Sequence, residues 1–231
     1  MNEFLANNLS RQLKIALEQV AREEVELLIL RSLMESPLGN ALAFKGGTAL
    51  RLAYDSPRFS DDLDFSLIAP FPEEAFLRTA ETIVRGLPQV SLSEALAERF
   101  TLFALYKAHE PYLPYAFSIK LEISTRPETW ERGQDFSLRL LTSPVTPVSV
   151  LAQVSTLERM WRDKETALAV RRQPRDLYDL WFIAQKLRRT FTPDLRSPAP
   201  AGGGFDRQAI RRELRKYLPR DHWQVIELWN A

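Results

Sequence analysis

Cysteine is absent from the chain, and histidine is represented only by His109 and His222. The first absence removes disulfides, thiolate zinc sites and cysteine nucleophiles, and it suits a reducing compartment. The second leaves too few imidazoles for a histidine-rich metal site or a Ser-His-Asp triad. Any metal is therefore expected among carboxylates, which favours magnesium or manganese over zinc. A large charge imbalance is lacking too: 31 basic against 30 acidic side chains leave a formal +1. Such a balance does not mark a wholesale nucleic-acid binder, yet a local basic face fits inside it. No stretch approaches the roughly 20 apolar residues that span a bilayer, and no basic start followed by an apolar run opens the chain. A cytoplasmic protein with no membrane partner is expected.

What is present is an ordinary globular composition, with 45% hydrophobic and 26% charged residues over 231 positions. That length allows one large domain or two small ones sharing a core. Apolar residues at helical spacing predict one or two helices between Glu3 and Glu35, stopped by Pro37 and Gly39. Ala41 to Phe44 reads as a short strand, followed by the turn Lys45-Gly46-Gly47-Thr48 and a short helix whose first turn includes Thr48. Ser60 to Leu67 reads as a strand and Pro72 to about Gly86 as a helix. Phe100–Lys107, Tyr115–Ser124 and Ser137–Leu141 are further strand candidates. From about Val148 the pattern reads as helical, with Val150–Arg172 and Pro174–Arg189 as two helices and Asp206–Leu218 as a last one. Ser197 to Gly204, rich in Pro and Gly, reads as a flexible connection. The expected division is 1–147 and 148–231.

Asp62 and Asp64, two apart on a strand, project to one face while Leu63 and Phe65 point into the core. Two like charges on one face are costly unless a cation lies between them, and a hard divalent ion suits oxygen ligands. The plainer reading is a solvated turn in which Asp61, Asp62 and Asp64 cap a neighbouring element. The glycine turn just upstream favours the metal reading. Gly46 and Gly47 let backbone approach a phosphate closely, and a helix beginning near Thr48 presents free N–H groups and a favourable dipole to an anion. Lys45 and Arg58 add positive charge nearby.

Glu122 lies on the polar face of an alternating segment with Ser118 and Lys120. It is either a metal ligand, the base for an attacking hydroxyl, or a surface carboxylate paired with Lys120 or Arg126. Lys164, Leu168, Arg171 and Arg175 fall near one helical face unless Pro174 breaks it, and Arg159, Arg162 and Arg172 extend a basic region. That region either binds triphosphate or RNA phosphates or is a solvated helix face. Asp176 and Asp179 either serve a helix N-terminus or orient Lys164 or an arginine across the site.

The motifs Phe44-Lys45-Gly46-Gly47-Thr48-Ala49-Leu50-Arg51-Leu52, Arg58-Phe59-Ser60-Asp61-Asp62-Leu63-Asp64-Phe65, Lys120-Leu121-Glu122-Ile123, Lys164 with Ala167, and Arg171 with Arg175-Asp176-Leu177-Tyr178-Asp179-Leu180 occur in this order. In them the chain resembles the AbiEii/AbiGii nucleotidyltransferase toxins, within the superfamily of DNA-polymerase-β-like nucleotidyltransferases. The resemblance implies an α+β fold: a small mixed sheet carrying the site, with flanking helices and a helical C-terminal half. It implies Asp62 and Asp64 as the metal-binding pair and Gly47 and Thr48 as phosphate contacts; Glu122 is the candidate third metal ligand, and Lys45, Gly46, Arg58, Ser60, Lys164 and Arg171 complete the expected nucleotide-binding set. Lys164 matches the triphosphate-gripping lysine, and Asp176 or Asp179 the late catalytic aspartate. Thr48 and Glu122 depart from the superfamily's usual serine and aspartate.

The implied reaction moves a nucleoside monophosphate from an NTP, with Mg2+ or Mn2+, onto an RNA acceptor such as a tRNA 3′ end, in a toxin–antitoxin or phage-defence setting with a cognate antitoxin. A protein-nucleotidylating enzyme and a non-catalytic nucleotide- or antitoxin-binding module are the alternatives.

Overall fold

The computed structural model describes residues 1–191 and 206–228, so the Ser197–Gly204 connection lies outside the described residues. Two N-terminal helices, α1 (Glu3–Leu13) and α2 (Leu17–Met34), precede a 3-10 turn at Pro37–Ala41. There follow β1 (Leu42–Lys45), α3 (Gly46–Tyr54), β2 (Asp62–Leu67), α4 (Glu73–Arg85), β3 (Val90–Glu98), β4 (Thr101–Ala108), β5 (Phe117–Ser124), β6 (Phe136–Ser143) and β7 (Thr146–Ser155). The chain continues with α5 (Leu157–Arg171), α6 (Pro174–Leu187), α7 (Arg207–Tyr217) and α8 (Gln224–Leu228). The expected mixed sheet with flanking helices is present.

The sheet has seven strands in the order β3-β4-β5-β2-β1-β7-β6. β2 pairs with β5 in parallel and with β1 antiparallel, while β1 pairs with β7 in parallel. Alternation decides which face each residue takes. On β2, Leu63 and Phe65 are fully buried, and on β5 Phe117, Ile119, Leu121 and Ile123 are buried likewise. Asp62, Asp64, Lys120 and Glu122 therefore share the opposite face. The Phe44 and Phe65 rings meet with centroids 5.0 Å apart across the β1–β2 pair. α2 packs on this core with Val25, Leu27, Ile29, Leu30 and Leu33.

Two strands depart from the sequence reading. The helix expected over Val150–Arg172 begins only at Leu157, because Thr146–Ser155 is β7. Val150, Ala152 and Val154 are buried while Leu151 is 57% exposed, so the run is period-two. Thr156 then caps α5, accepting from the Arg159 amide at 3.3 Å. β7 carries the sheet past position 147 to residue 155. β3, rich in Ala and Glu, has no strand signature of its own. It is an edge strand held by its pairing with β4, with an irregularity between Leu92 and Glu94.

Pro174 breaks the long helix as its chemistry requires: α5 ends at Arg171, Arg172 takes a left-handed φ of 45°, and Pro174 opens α6.

Phe65 is fully buried at the centre of the sheet. Phe65→Ala is expected to cost about 3–5 kcal/mol, read as a lower urea midpoint with an unchanged slope.

Candidate active site

Register brings the acidic residues together. Asp64 faces Lys45 across the β1–β2 pair and Glu122 across the β2–β5 pair, and Asp62 faces Lys120. Lys120 Nζ lies 3.1 Å from Glu122 Oε2 and 3.7 Å from Asp62 Oδ2, so it already bridges two of the three carboxylates. Among the described residues no three acidic or histidine side chains form a group that could hold a metal. The Asp62–Asp64 pair still suits magnesium, which takes one or two carboxylates and completes its shell with substrate phosphates and water.

Electrostatics point the same way. Burial, and next the charge of Asp62, raise the Asp64 carboxyl above its ordinary value. Lys120 and Lys164 act the other way and only partly offset this. Burial opposes the Lys120 ammonium, but Asp62, Asp64 and Glu122 raise it above the usual lysine value.

The glycine turn fits against these strands with no spare room. Gly46 has φ +84°, and a Cβ there would stand 2.5 Å from Asp64 Oδ2. A Cβ on Gly47 would stand 2.2 Å from Arg58 Nη2 and 2.7 Å from Ser60 Oγ. Thr48, which is buried, donates its hydroxyl to the Asp62 carbonyl at 2.5 Å. Its hydroxyl therefore pins α3 to the start of β2 instead of facing outward.

A cavity of about 200 Å³ opens beside Asp64, with Lys45, Gly46 and Glu122 on the sheet side. Met160, Asp163, Lys164, Ala167 and Arg171 form the α5 wall, one stripe of that helix. Lys45 makes no side-chain hydrogen bond or ion pair among the described residues.

Behind this wall runs a chain of alternating charges. Arg171 grips Asp176 with two bonds of 2.7 Å. Lys164 Nζ lies 2.9 Å from Asp176 and 2.6 Å from Asp179. Asp179 accepts two bonds from Arg58, at 2.7 and 2.9 Å. Asp176, Asp179 and Arg58 are all but inaccessible to solvent. Arg58 thus lies under the glycine turn, joined to α6, and does not line the cavity. Burial opposes the Asp179 carboxylate, but Arg58 and Lys164 hold it below its ordinary value. Asp176 is likewise opposed by burial, yet Arg171 and Lys164 lower it to about 2.

Three features escaped the sequence reading. Met160 and Asp163 line the cavity, and their i−4 and i−1 relation to Lys164 was the available signal. The Asp163 Oδ2 atom is buried without a hydrogen-bond partner. The basic stretch around Arg159 and Arg162 is largely neutralised: Arg159 pairs with Glu128 and Asp163, Arg162 pairs with Asp135 at 2.9 Å, and Arg159 stacks over Trp130. Asp61 points away from Asp62 toward α2 and α7, where Arg22, Tyr217 and Lys216 hold it.

Two outcomes follow from the charge chain. Arg58→Met leaves the buried Asp179 with Lys164 as its remaining charged partner and is expected to destabilise by about 3 kcal/mol, most of it recovered in Arg58→Met/Asp179→Leu; paired urea melts measure both. Asp176 is depressed from an ordinary 3.8 to about 2. Its contribution, about 2 kcal/mol, is fully present above the ordinary value and lost as pH falls through about 2. Acid unfolding should therefore steepen over that window, and Asp176→Asn should flatten it.

No helix among the described residues is long and apolar enough to cross a membrane. No protein of curated function is significantly similar in sequence. Among solved structures, MenT4, a nucleotidyltransferase toxin from Mycobacterium tuberculosis, superposes with a TM-score of 0.59 at 21% identity, covering 92% of this chain and 68% of its own. JHP933 from Helicobacter pylori gives 0.53 at 21% identity, covering 74% and 68%. A putative nucleotidyltransferase from H. pylori gives 0.53 at 21%, covering 74% and 70%. At that identity the likeness is one of fold. The family described as nucleotidyl transferase AbiEii toxin, type IV toxin–antitoxin system, matches residues 28–225. The chain belongs to the AbiEii nucleotidyltransferase toxin family.

Proposed function

We propose that this nucleotidyltransferase moves a nucleoside monophosphate from an NTP onto the 3′ hydroxyl of an RNA, with tRNA as the leading acceptor and a cognate antitoxin as its restraint. The observation that carries the reading is the register that sets Asp64 beside Lys45 and Glu122, within a cavity whose other wall carries Lys164 and Arg171.

Asp62 and Asp64 would hold a magnesium or manganese ion, which when bound supplies positive charge against the triphosphate oxygens and orients them. Lys45, Lys164 and Arg171 carry positive charge to the same cavity, where the leaving pyrophosphate needs it. Lys164 is fixed by two aspartates, so its ammonium is positioned before substrate arrives. The amides of Gly46 and Gly47 open α3, an anion-favouring helix end. In the transfer, the acceptor oxygen forms a bond to the α-phosphorus, the bond to the β-phosphate oxygen breaks, and pyrophosphate leaves with its electron pair. The hydroxyl proton goes to Glu122, which stands one strand across from Asp64. Arg58, Thr48, Asp176 and Asp179 act by holding these groups in place.

Labelled NTPs incubated with the protein, magnesium and total RNA should label RNA. Asp62→Asn should abolish the signal, Lys164→Ala should lower it roughly 10²-fold or more, and chelation should remove it reversibly. Label found on protein instead of RNA would favour nucleotidylation of a partner. No label on either, with any NTP, would sink the catalytic reading.

A further inference from the structure

A second cleft, of about 640 Å³, lies between the end of α1 and the segment from α7 to α8. Its walls carry Arg11 and Lys14 on one side and Arg215, Lys216 and Arg220 on the other, with Trp223, and none of the lining side chains is acidic. Lys14 is paired with Asp221, Lys216 with Asp61 and Arg215, at 3.8 Å, with Glu227. Arg11 and Arg220 have no ion-pair partner among the described residues. Arg212, exposed on α7, extends the positive charge beyond the cleft. The two walls are tied together, since the Arg220 amide donates to the Lys14 carbonyl at 3.1 Å. The cleft therefore exists before any partner arrives.

Position gives it meaning. The Phe59 amide donates to the Tyr217 carbonyl at 2.9 Å, and Lys216 reaches Asp61 at 3.4 Å. The α7 wall of the cleft is thus fastened to the Phe59–Asp61 segment, which precedes Asp62 in the chain.

We infer that this cleft binds the phosphodiester backbone of the RNA whose 3′ end is extended, an assignment that rests on the RNA-acceptor reading. Cations lining both sides of a narrow cleft suit a thin chain with an anion at every link. The Arg215 guanidinium lies over the Trp223 ring at 4.7 Å, making a flat surface on which a base can stack. A lipid surface is a poor match, because the site is concave and Trp223 is turned inward, donating its Nε1–H to the Leu218 carbonyl at 3.0 Å.

The test measures binding of a labelled single-stranded RNA to the full chain across a salt series. The comparison is Arg11→Gln/Arg215→Gln/Arg220→Gln against the charge-matched control Arg31→Gln/Arg78→Gln/Arg85→Gln on the α2 and α4 surface. The cleft variant should bind more weakly, with the slope of log affinity on log salt reduced by about 2, at about 0.7 per phosphate contact on single strands. The control should keep the wild-type slope, and all three proteins should bind NTP equally and melt alike. Equal slopes in the wild type and the cleft variant overturn the assignment, even where label still transfers to RNA, so the two readings fail separately. Wild type that binds phosphatidylserine vesicles but not RNA overturns it as well.

Discussion

The structure of the site depends on one arrangement, the run Arg171–Asp176–Lys164–Asp179–Arg58, in which each charge lies between two of the other sign or ends on one. Burying a lone charge is prohibitive, and burying a pair only breaks even. Three cations around two carboxylates leave a surplus of positive charge, and Arg171 at the exposed end also lines the cavity. The run joins α5, α6 and the segment before β2, three pieces with no common strand between them. Fixing the cavity wall and neutralising the interior are therefore one task.

The turn at Gly46 and Gly47 is the complementary constraint. Asp64 and Arg58 press on it from opposite sides of one short stretch of backbone, so each side chain is packed against a place where a Cβ would collide. The same closeness sets the carboxylate beside the helix amides. Glycine is required here by what stands next to it, and at Gly46 by its positive φ as well.

Much of this was legible in the sequence because it depended on local rules. Alternation in Asp62–Leu67 and Phe117–Ser124 assigned carboxylates to one face and apolar residues to the other, and the coordinates agree. Pro174 marked a helix boundary by its chemistry alone. What could not be read was decided at a distance. Arg58 looked like free positive charge until Asp179, 121 positions later, closed on it. Thr48 looked like an anion contact until its hydroxyl was seen to donate to the Asp62 carbonyl. β7 looked helical because Val150-Leu151-Ala152 runs into the apolar pattern of α5, and its pairing with β1 and β6 separates the two periods. The basic face was sought on α5, where acidic neighbours from the 128–135 segment neutralise it; the exposed arginines of α1 and α7 converge only in three dimensions.

The long sequence separation inside the charge run has a bearing on synthesis. β1 needs β7 at residue 154, and Arg58 needs Asp179, for their partners to exist at all. A nascent chain holding only its first half has the two aspartates but neither the cavity's far wall nor the lysine that faces them. The cavity's far wall is therefore completed late: a chain cut before α6 lacks Asp176 and Asp179, and Lys164 then has neither of the carboxylates that fix it.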